Sequence, residues 1–133
     1  MMIHQSAEDY LETILMLTER LGKVRSIDVV RELGYTKASV SIAMRKLREN
    51  GYIAVDGEGN LTLLPPGREI AERIYGRHRL LQHFFIQLGV DEKTAAEDAC
   101  RVEHVLSEQT LEKIREKALL QDAESTLGSG TED

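Results

Sequence analysis

Three side chains near residue 100 are of the types that bind transition metals. Cys100, Glu103 and His104 are three and four positions apart, and such positions share one face of an α-helix. A thiolate, a carboxylate and an imidazole together can hold a divalent metal ion. A second pair, Asp9 and Glu12, lies one helical turn apart near the N-terminus. We therefore predict that a metal ion ties the first helix to the Cys100 segment.

Each of these residues also has an ordinary explanation when it is taken alone. A single cysteine is more often a buried small residue than a ligand, and His78, between two arginines, is typical of a surface or packing histidine. Asp9 and Glu12 also favour the positive end of a helix dipole. The combination favours a metal site, because these groups buried together without a cation would destabilise the fold.

The residues between these two groups predict a helix-turn-helix. Apolar residues recur at helical spacing over residues 6–21, 26–33 and 36–50, with Ser6, Ser26 and Thr36 as N-caps. Gly22 ends the first helix and Gly34 breaks the second. Two short helices joined by a tight turn that contains glycine are typical of DNA-binding proteins.

The third helix has the composition of a recognition helix. It carries Lys37, Arg45, Lys46 and Arg48 against the single acid Glu49. In such helices N-terminal residues face base edges and flanking cations face phosphates. The predicted contacts near base edges are Thr36, Lys37, Ser39, Ser41 and Ile42, and those to phosphate are Arg25, Arg45, Lys46 and Asn60.

Two β-prone runs, residues 51–55 and 61–64, flank a glycine-rich turn and predict a hairpin that would form a wing. A long helix is expected from Pro66, a further one capped by Asp91, and a last one opened by Ser107. The predicted fold is mainly α, with a winged helix-turn-helix domain over residues 1–65 and an all-helical dimerisation domain over residues 66–120. Residues 121–133 are expected to be disordered.

The charge distribution is compatible with a DNA partner although the net charge is −6. Residues 1–90 carry 12 Lys and Arg against 11 Asp and Glu, whereas residues 91–133 carry 5 against 12. Binding to DNA depends on the charges that face phosphate, not on the total. No apolar run is long enough for a membrane span and no secretory signal is apparent, so we expect a cytoplasmic protein without a membrane partner. One cysteine excludes an internal disulfide.

The order of these motifs resembles the diphtheria-toxin-repressor and manganese-transport-regulator family of metal-activated transcription factors. The resemblance runs from Ser6 to Leu119 through the segments at 7–12, 77–81 and 98–107, and the last of these is its most specific part. It implies a two-domain form without the SH3-like third domain of longer members. It also implies a homodimer that binds an inverted-repeat operator, as a repressor of metal uptake, and no enzymatic activity.

The resemblance also implies a ligand set. Asp9, Cys100, Glu103 and His104 match the activating site, while Glu12 and His78 match ligands of a second metal that shares Glu103. Manganese-type members usually have Glu in place of Cys100, and iron-type members usually have Met in place of Asp9. The second site of iron-type members requires a Glu where this chain has Gln82 and a His where it has Ala96. The resemblance therefore does not extend to the iron-type second site.

Because a thiolate shifts preference away from Mn²⁺, we expect Fe²⁺ first and Mn²⁺ next. The alternative is a winged-helix regulator that responds to a small organic molecule, with a structural polar cluster. It predicts an apolar pocket and metal-independent DNA binding. A metalloenzyme would need a cleft and a general base beyond the ligands, which the sequence does not offer. We therefore expect no organic substrate.

Overall fold

The structure is a computed structural model that describes residues 5–130, with side chains as far as Glu124. This part of the chain contains six helices and one two-stranded sheet, which confirms the predicted mainly α class. The chain divides into two compact units, residues 1–74 and 75–133. No helix within residues 5–130 is both long and apolar enough to cross a membrane.

The first unit contains the predicted helix-turn-helix. Its helices are α1 (Gln5–Leu21), α2 (Ser26–Leu33) and α3 (Lys37–Glu49). Gly34 has a φ of 71°, and its amide donates to the carbonyl of Val30 at 2.8 Å. The side chain of Thr36 accepts from the amide of Ser39 at 3.1 Å, which confirms it as the cap of α3. These two contacts set the direction in which the recognition helix begins.

The hairpin follows as β1 (Ile53–Val55) and β2 (Leu61–Leu63), which are antiparallel with Ile53 opposite Leu63. The carboxylate of Asp56 accepts hydrogen bonds from the amides of Glu58 and Asn60, both at 2.9 Å, and from the Asn60 side chain at 3.0 Å. The Asn60 side chain is the main reason why the pKa of Asp56 lies below its usual range. Asp56 therefore fixes the turn of the wing.

The second unit contains most of α4 (Pro65–Gln87), together with α5 (Glu92–Val102) and α6 (Glu108–Gly130). Its core is built on Leu81, Ala99 and Leu111, one residue from each helix. Asp91 accepts from the amide of Thr94 at 2.9 Å and caps α5. Since that bond stabilises the ionised carboxylate, the pKa of Asp91 is lowered.

The division between the two units follows Ile74 of α4, and the domain boundary predicted after Pro65 stays a prediction. The first turns of α4 belong to the first unit because they pack on the hairpin. Gly67 lies so close to Tyr52 that a Cβ at this position would clash with the Tyr52 carbonyl. Arg73 pairs with Glu8 of α1 at 3.2 Å.

Two predicted helix starts differ by one residue. Helix α1 begins at Gln5, so Ser6 lies inside the helix. Helix α2 begins at Ser26, and the carboxylate of Asp28 accepts from the amide of Arg25 at 2.9 Å. The carboxylate on the first turn of α2 thus takes the place of the predicted serine cap.

The last helix is longer than predicted. Helix α6 continues to Gly130, where the sequence predicted disorder from Gln121. Asp122 holds this extension, because it lies 3.0 Å from His83 Nε2 and accepts from the Gln87 side chain at 2.8 Å. Gln87 also donates to the carbonyl of Ala118 at 3.1 Å. Residues 131–133 of the predicted disordered tail lie outside the described residues.

Candidate metal centre and nucleic-acid interface

Glu103 is the centre of a cluster of metal-binding side chains in the second unit. Its carboxylate is fully buried. Oε2 lies 2.9 Å from Nδ1 of His78, and Oε1 lies 3.4 Å from Nε2 of His104. One buried carboxylate between two imidazoles offers oxygen and nitrogen donors, the types that Mn²⁺, Fe²⁺ and Zn²⁺ take in proteins.

The end of α5 places Glu103 and His104. The last helical residue is Val102, and Glu103 follows as the C-cap with its amide bonded to the carbonyl of Ala99 at 3.0 Å. His104 lies in the turn after the helix, although only 2% of its side chain is exposed. Both residues were predicted to lie on the helix itself, but α5 ends before them.

Cys100 differs from the other predicted ligands in its exposure. The buried positions of α5 are Ala95 and Ala99, both at zero exposure, and Cys100 is the next residue around the helix. The Cys100 side chain is exposed. In the second unit the Glu103 carboxylate and the His104 imidazole are therefore buried, whereas the Cys100 thiol is not. The role of Cys100 as a ligand stays a prediction.

The first unit carries the other predicted ligands on α1. Glu12 is buried with an exposure of 6%, and Asp9 is half-buried. The neighbouring Glu8 is engaged with Arg73. Carboxylates that are withdrawn from water require a compensating partner. The ligand roles of Asp9 and Glu12 stay predictions.

Arg77 also contacts Glu103, although no role was predicted for it from the sequence. Its Nη1 donates to the main-chain carbonyl of Glu103 at 3.1 Å, and its Nη2 pairs with the carboxylate of Glu108. Only 10% of its side chain is exposed. The only available signal was its position beside His78, because its partners are distant in sequence.

The surface of α3 agrees with a DNA-reading role. Val40, Met44 and Leu47 form its buried face. All seven predicted contact residues in this region are exposed, namely Thr36, Lys37, Ser39, Ser41, Ile42, Arg45 and Lys46. Ile42 is 47% exposed on a helix that is otherwise polar on this side. An exposed branched side chain there suits contact with a thymine methyl group.

The other two predicted phosphate contacts connect to the wing. Arg25 and Asn60 form an isolated antiparallel bridge, and the Arg25 guanidinium lies over Gly59. The side-chain amide of Asn60 donates to Asp56. Asn60 therefore has a structural role in the turn, whereas Arg25 remains exposed beside it.

Depressions in the surface of the described residues border α3. One, of about 250 Å³, is lined by Ser26, Ser41, Arg45 and Arg48 together with three apolar residues. Arg48 follows Arg45 by three positions, and this spacing could have placed it among the phosphate contacts. The second depression, of about 400 Å³, is a groove between α1 and α3 that includes Tyr10, Ile42 and Lys46. It is the apolar feature that bears on the organic-ligand alternative.

The chain matches the models of two known protein domains. Residues 2–61 match the N-terminal DNA binding domain of iron dependent repressors. Residues 65–119 match the metal binding and dimerisation domain of the same repressors. The two matches together cover most of the 133 residues of the chain.

Curated relatives and solved structures give the same result. An uncharacterised HTH-type transcriptional regulator of Methanocaldococcus jannaschii is 35% identical over 84% of this chain and 90% of its own length. The HTH-type transcriptional regulator MntR of Bacillus pumilus is 36% identical over 82% of this chain and 76% of its own.

A solved manganese-dependent transcriptional repressor in complex with manganese has a TM-score of 0.77 and 31% identity, covering 84% of this chain and 52% of that one. IdeR of T. acidophilum has a TM-score of 0.77 at 24% identity, covering 88% of this chain and 55% of its own, and this likeness concerns the fold. The chain thus spans about half the length of these two solved proteins.

Proposed function

Since the chain belongs to the diphtheria-toxin-repressor and manganese-transport-regulator family of metal-dependent transcriptional regulators, we propose that it is a metal-activated repressor that binds operator DNA as a homodimer. The observation that carries the metal dependence is the buried Glu103 carboxylate between His78 and His104. A fully buried carboxylate with two imidazoles beside it fits a divalent cation.

The proposed ligands come from both units. Asp9, Cys100, Glu103 and His104 would hold the activating ion. Glu12 and His78 would hold a second ion that shares Glu103. When bound, the ion supplies positive charge that offsets the repulsion among these carboxylates and fixes their positions.

For the metal itself we propose Fe²⁺ first and Mn²⁺ second. The preference for Fe²⁺ rests on the Cys100 thiolate, which is a softer ligand than oxygen. The buried donors are oxygen and imidazole nitrogen, which suit Mn²⁺ equally. The exposed thiol therefore decides the order of the two metals, and Cys100→Glu should shift the preference towards Mn²⁺.

Ligands on α1 would connect metal binding to DNA binding. Asp9 and Glu12 lie on a helix of the DNA-binding domain, so constraint of these carboxylates constrains that domain. A metal ion acts only through its higher affinity for the DNA-binding arrangement. A coupling free energy of about 1–3 kcal/mol would change DNA affinity by about 5- to 150-fold, and operator DNA should tighten metal binding by the same factor.

The proposed DNA contacts are those on the exposed side of α3, with Arg25 and Asn60 at the wing. Arg48 joins Arg45 as a phosphate contact, because the depression that they line contains two hydroxyl groups and is large enough for a phosphate. A two-fold dimer would present two such helices to successive major grooves. The expected operator is therefore an inverted repeat, with half-sites about one helical turn or a multiple apart.

The proposed homodimer is supported by the distribution of exposed apolar side chains. Among the side chains described in the second unit, as far as Glu124, five large apolar ones are exposed, namely Ile86, Leu88, Val105, Leu119 and Leu120. This unit overlaps the region that matches a dimerisation domain. Burial of these side chains against a second copy would remove them from water.

The proposal is tested by titrating the protein on its own promoter region with Fe²⁺ under anaerobic conditions, and with Mn²⁺, Co²⁺, Zn²⁺ and Mg²⁺ in parallel. We expect shifted complexes with Fe²⁺ and Mn²⁺, and little shift with Mg²⁺ or with chelator. DNA binding of equal strength in chelator would contradict the proposal. It would favour the second candidate, a regulator whose organic ligand occupies the groove between α1 and α3.

A further inference from the structure

Two consecutive residues of α4, Arg77 and His78, contact different groups of Glu103. His78 contacts the carboxylate of Glu103 at 2.9 Å, while Arg77 donates to the main-chain carbonyl of Glu103 at 3.1 Å. We infer that Arg77 is a positioning residue that sets the direction of the Glu103 carboxylate before a metal ion arrives. This inference rests on the proposed metal site.

The burial of Arg77 makes its bonds specific. A guanidinium has five N–H donors and no acceptor groups, so a position that is nine-tenths buried requires partners for its N–H groups. Its partners are the Glu103 carbonyl and the Glu108 carboxylate. A planar guanidinium can serve both at once, whereas a lysine ammonium lacks this fork.

The two partners lie on either side of the turn that contains His104. Glu103 is the C-cap of α5, and Glu108 is the first residue of α6. Arg77 therefore closes the segment from residue 103 to residue 108 against α4. The Arg77 bond leaves both carboxylate oxygens of Glu103 available to a metal ion, since it uses the main chain.

The pair with Glu108 also affects charge. An unpaired guanidinium near a cation site would repel the incoming ion. The Glu108 side chain is 79% exposed and forms an ion pair with Arg77 at the edge of the cluster. Glu108 thus offsets the charge of Arg77 and keeps the guanidinium on the turn.

The test uses Arg77→Met, Arg77→Lys and Glu108→Gln, with Arg79→Met as the matched control. Arg79 is exposed on the same helix and lies 5.5 Å over the ring of Tyr75. Calorimetry with Mn²⁺ gives the affinity, and amide hydrogen exchange without metal gives the order of the turn. Substitution of groups that orient metal ligands typically weakens metal binding by about 10- to 100-fold, and we expect this for Arg77→Met.

In the metal-free variant Arg77→Met, the amides of Glu103 and Val105 should exchange faster, whereas Arg79→Met should match the unsubstituted protein in both measurements. If Arg77→Met does not fold, Arg77→Lys and Glu108→Gln carry the test, with smaller losses of affinity in the same direction. Unchanged Mn²⁺ affinity in the variants would overturn the positioning role, even if exchange rises. Failure of the unsubstituted protein to bind any metal would instead overturn the proposed function.

Discussion

Replacement of Glu103 by glutamine separates metal binding from folding. Glutamine has nearly the same volume, so the substitution leaves no cavity in the second unit. The contact with His78 at 2.9 Å would become a bond between neutral groups, which is about half as strong as a charge-assisted one. The free energy of unfolding without metal should therefore fall by about 1 kcal/mol. This corresponds to a decrease of roughly 4 °C in Tm for a chain of this size.

The effect on DNA binding should be much larger. The buried anion beside both imidazoles is lost, so the metal-dependent part of the DNA affinity, about 5- to 150-fold, should disappear in Glu103→Gln. The metal-free affinity should stay at the level of the unsubstituted protein. Fluorescence anisotropy with labelled promoter DNA, with and without Mn²⁺, measures both quantities on the same sample.

Glu97→Gln is the matched control, because Glu97 is an exposed carboxylate on α5. It should retain the full metal response. Metal-stimulated DNA binding of normal size in Glu103→Gln would refute the assignment of the cluster as the regulatory metal site. If Glu103→Gln no longer forms a dimer, thermal denaturation of the metal-free variant shows whether the substitution has unfolded the protein.

Three further substitutions test other parts of the molecule. Lys46→Ala should weaken binding to all DNA sequences and flatten the salt dependence by about one unit, as measured by anisotropy over a series of salt concentrations. Gly67→Ala should lower the free energy of unfolding by about 1–3 kcal/mol in chemical denaturation, because the new methyl group would clash with the Tyr52 carbonyl. Asn60→Ala should raise the pKa of Asp56 towards its usual value in an NMR titration, because the first cause of its lowering is lost.

Each of the three has a control or a contradicting result. Lys117→Ala, an exposed lysine of α6, should leave the salt dependence unchanged. Gly76→Ala should stabilise α4, because a Cβ there meets nothing within 4 Å and alanine favours a helix. A lowered pKa of Asp56 stabilises the folded wing above the unfolded pKa, and this stability is lost as pH falls through the folded pKa. Unchanged acid sensitivity of the wing in Asn60→Ala would therefore contradict the role of Asn60.

Local rules were sufficient for the first unit and for most helix starts. Thr36, Asp91 and Ser107 cap helices as predicted, because each is a short polar residue ahead of a periodic apolar stretch. The hairpin follows from two β-prone runs around glycines. These features depend on neighbouring residues, so the sequence carries them directly.

Features that depend on distant contacts were not predicted. The extension of α6 requires Asp122 to meet His83 and Gln87, which are more than 30 positions away. The role of Arg77 depends in the same way on Glu103 and Glu108. The site residues followed from residue types and from the family resemblance, whereas the position of Glu103 and His104 beyond the helix depended on where α5 ends.

Helix α1 gives the first unit a physical connection between the proposed ligands and the recognition helix. Tyr10 lies between Asp9 and Glu12 in sequence and is buried. Its ring packs edge-on against the ring of Tyr35, with the two ring centroids 6.0 Å apart. Tyr35 immediately precedes the cap of α3. An exposed charge pair at 4 Å contributes only about 1 kcal/mol in water, and salt screens longer distances. Charge alone is therefore a weak source of coupling, whereas close packing transmits displacement, so constraint of α1 acts on the turn where α3 begins.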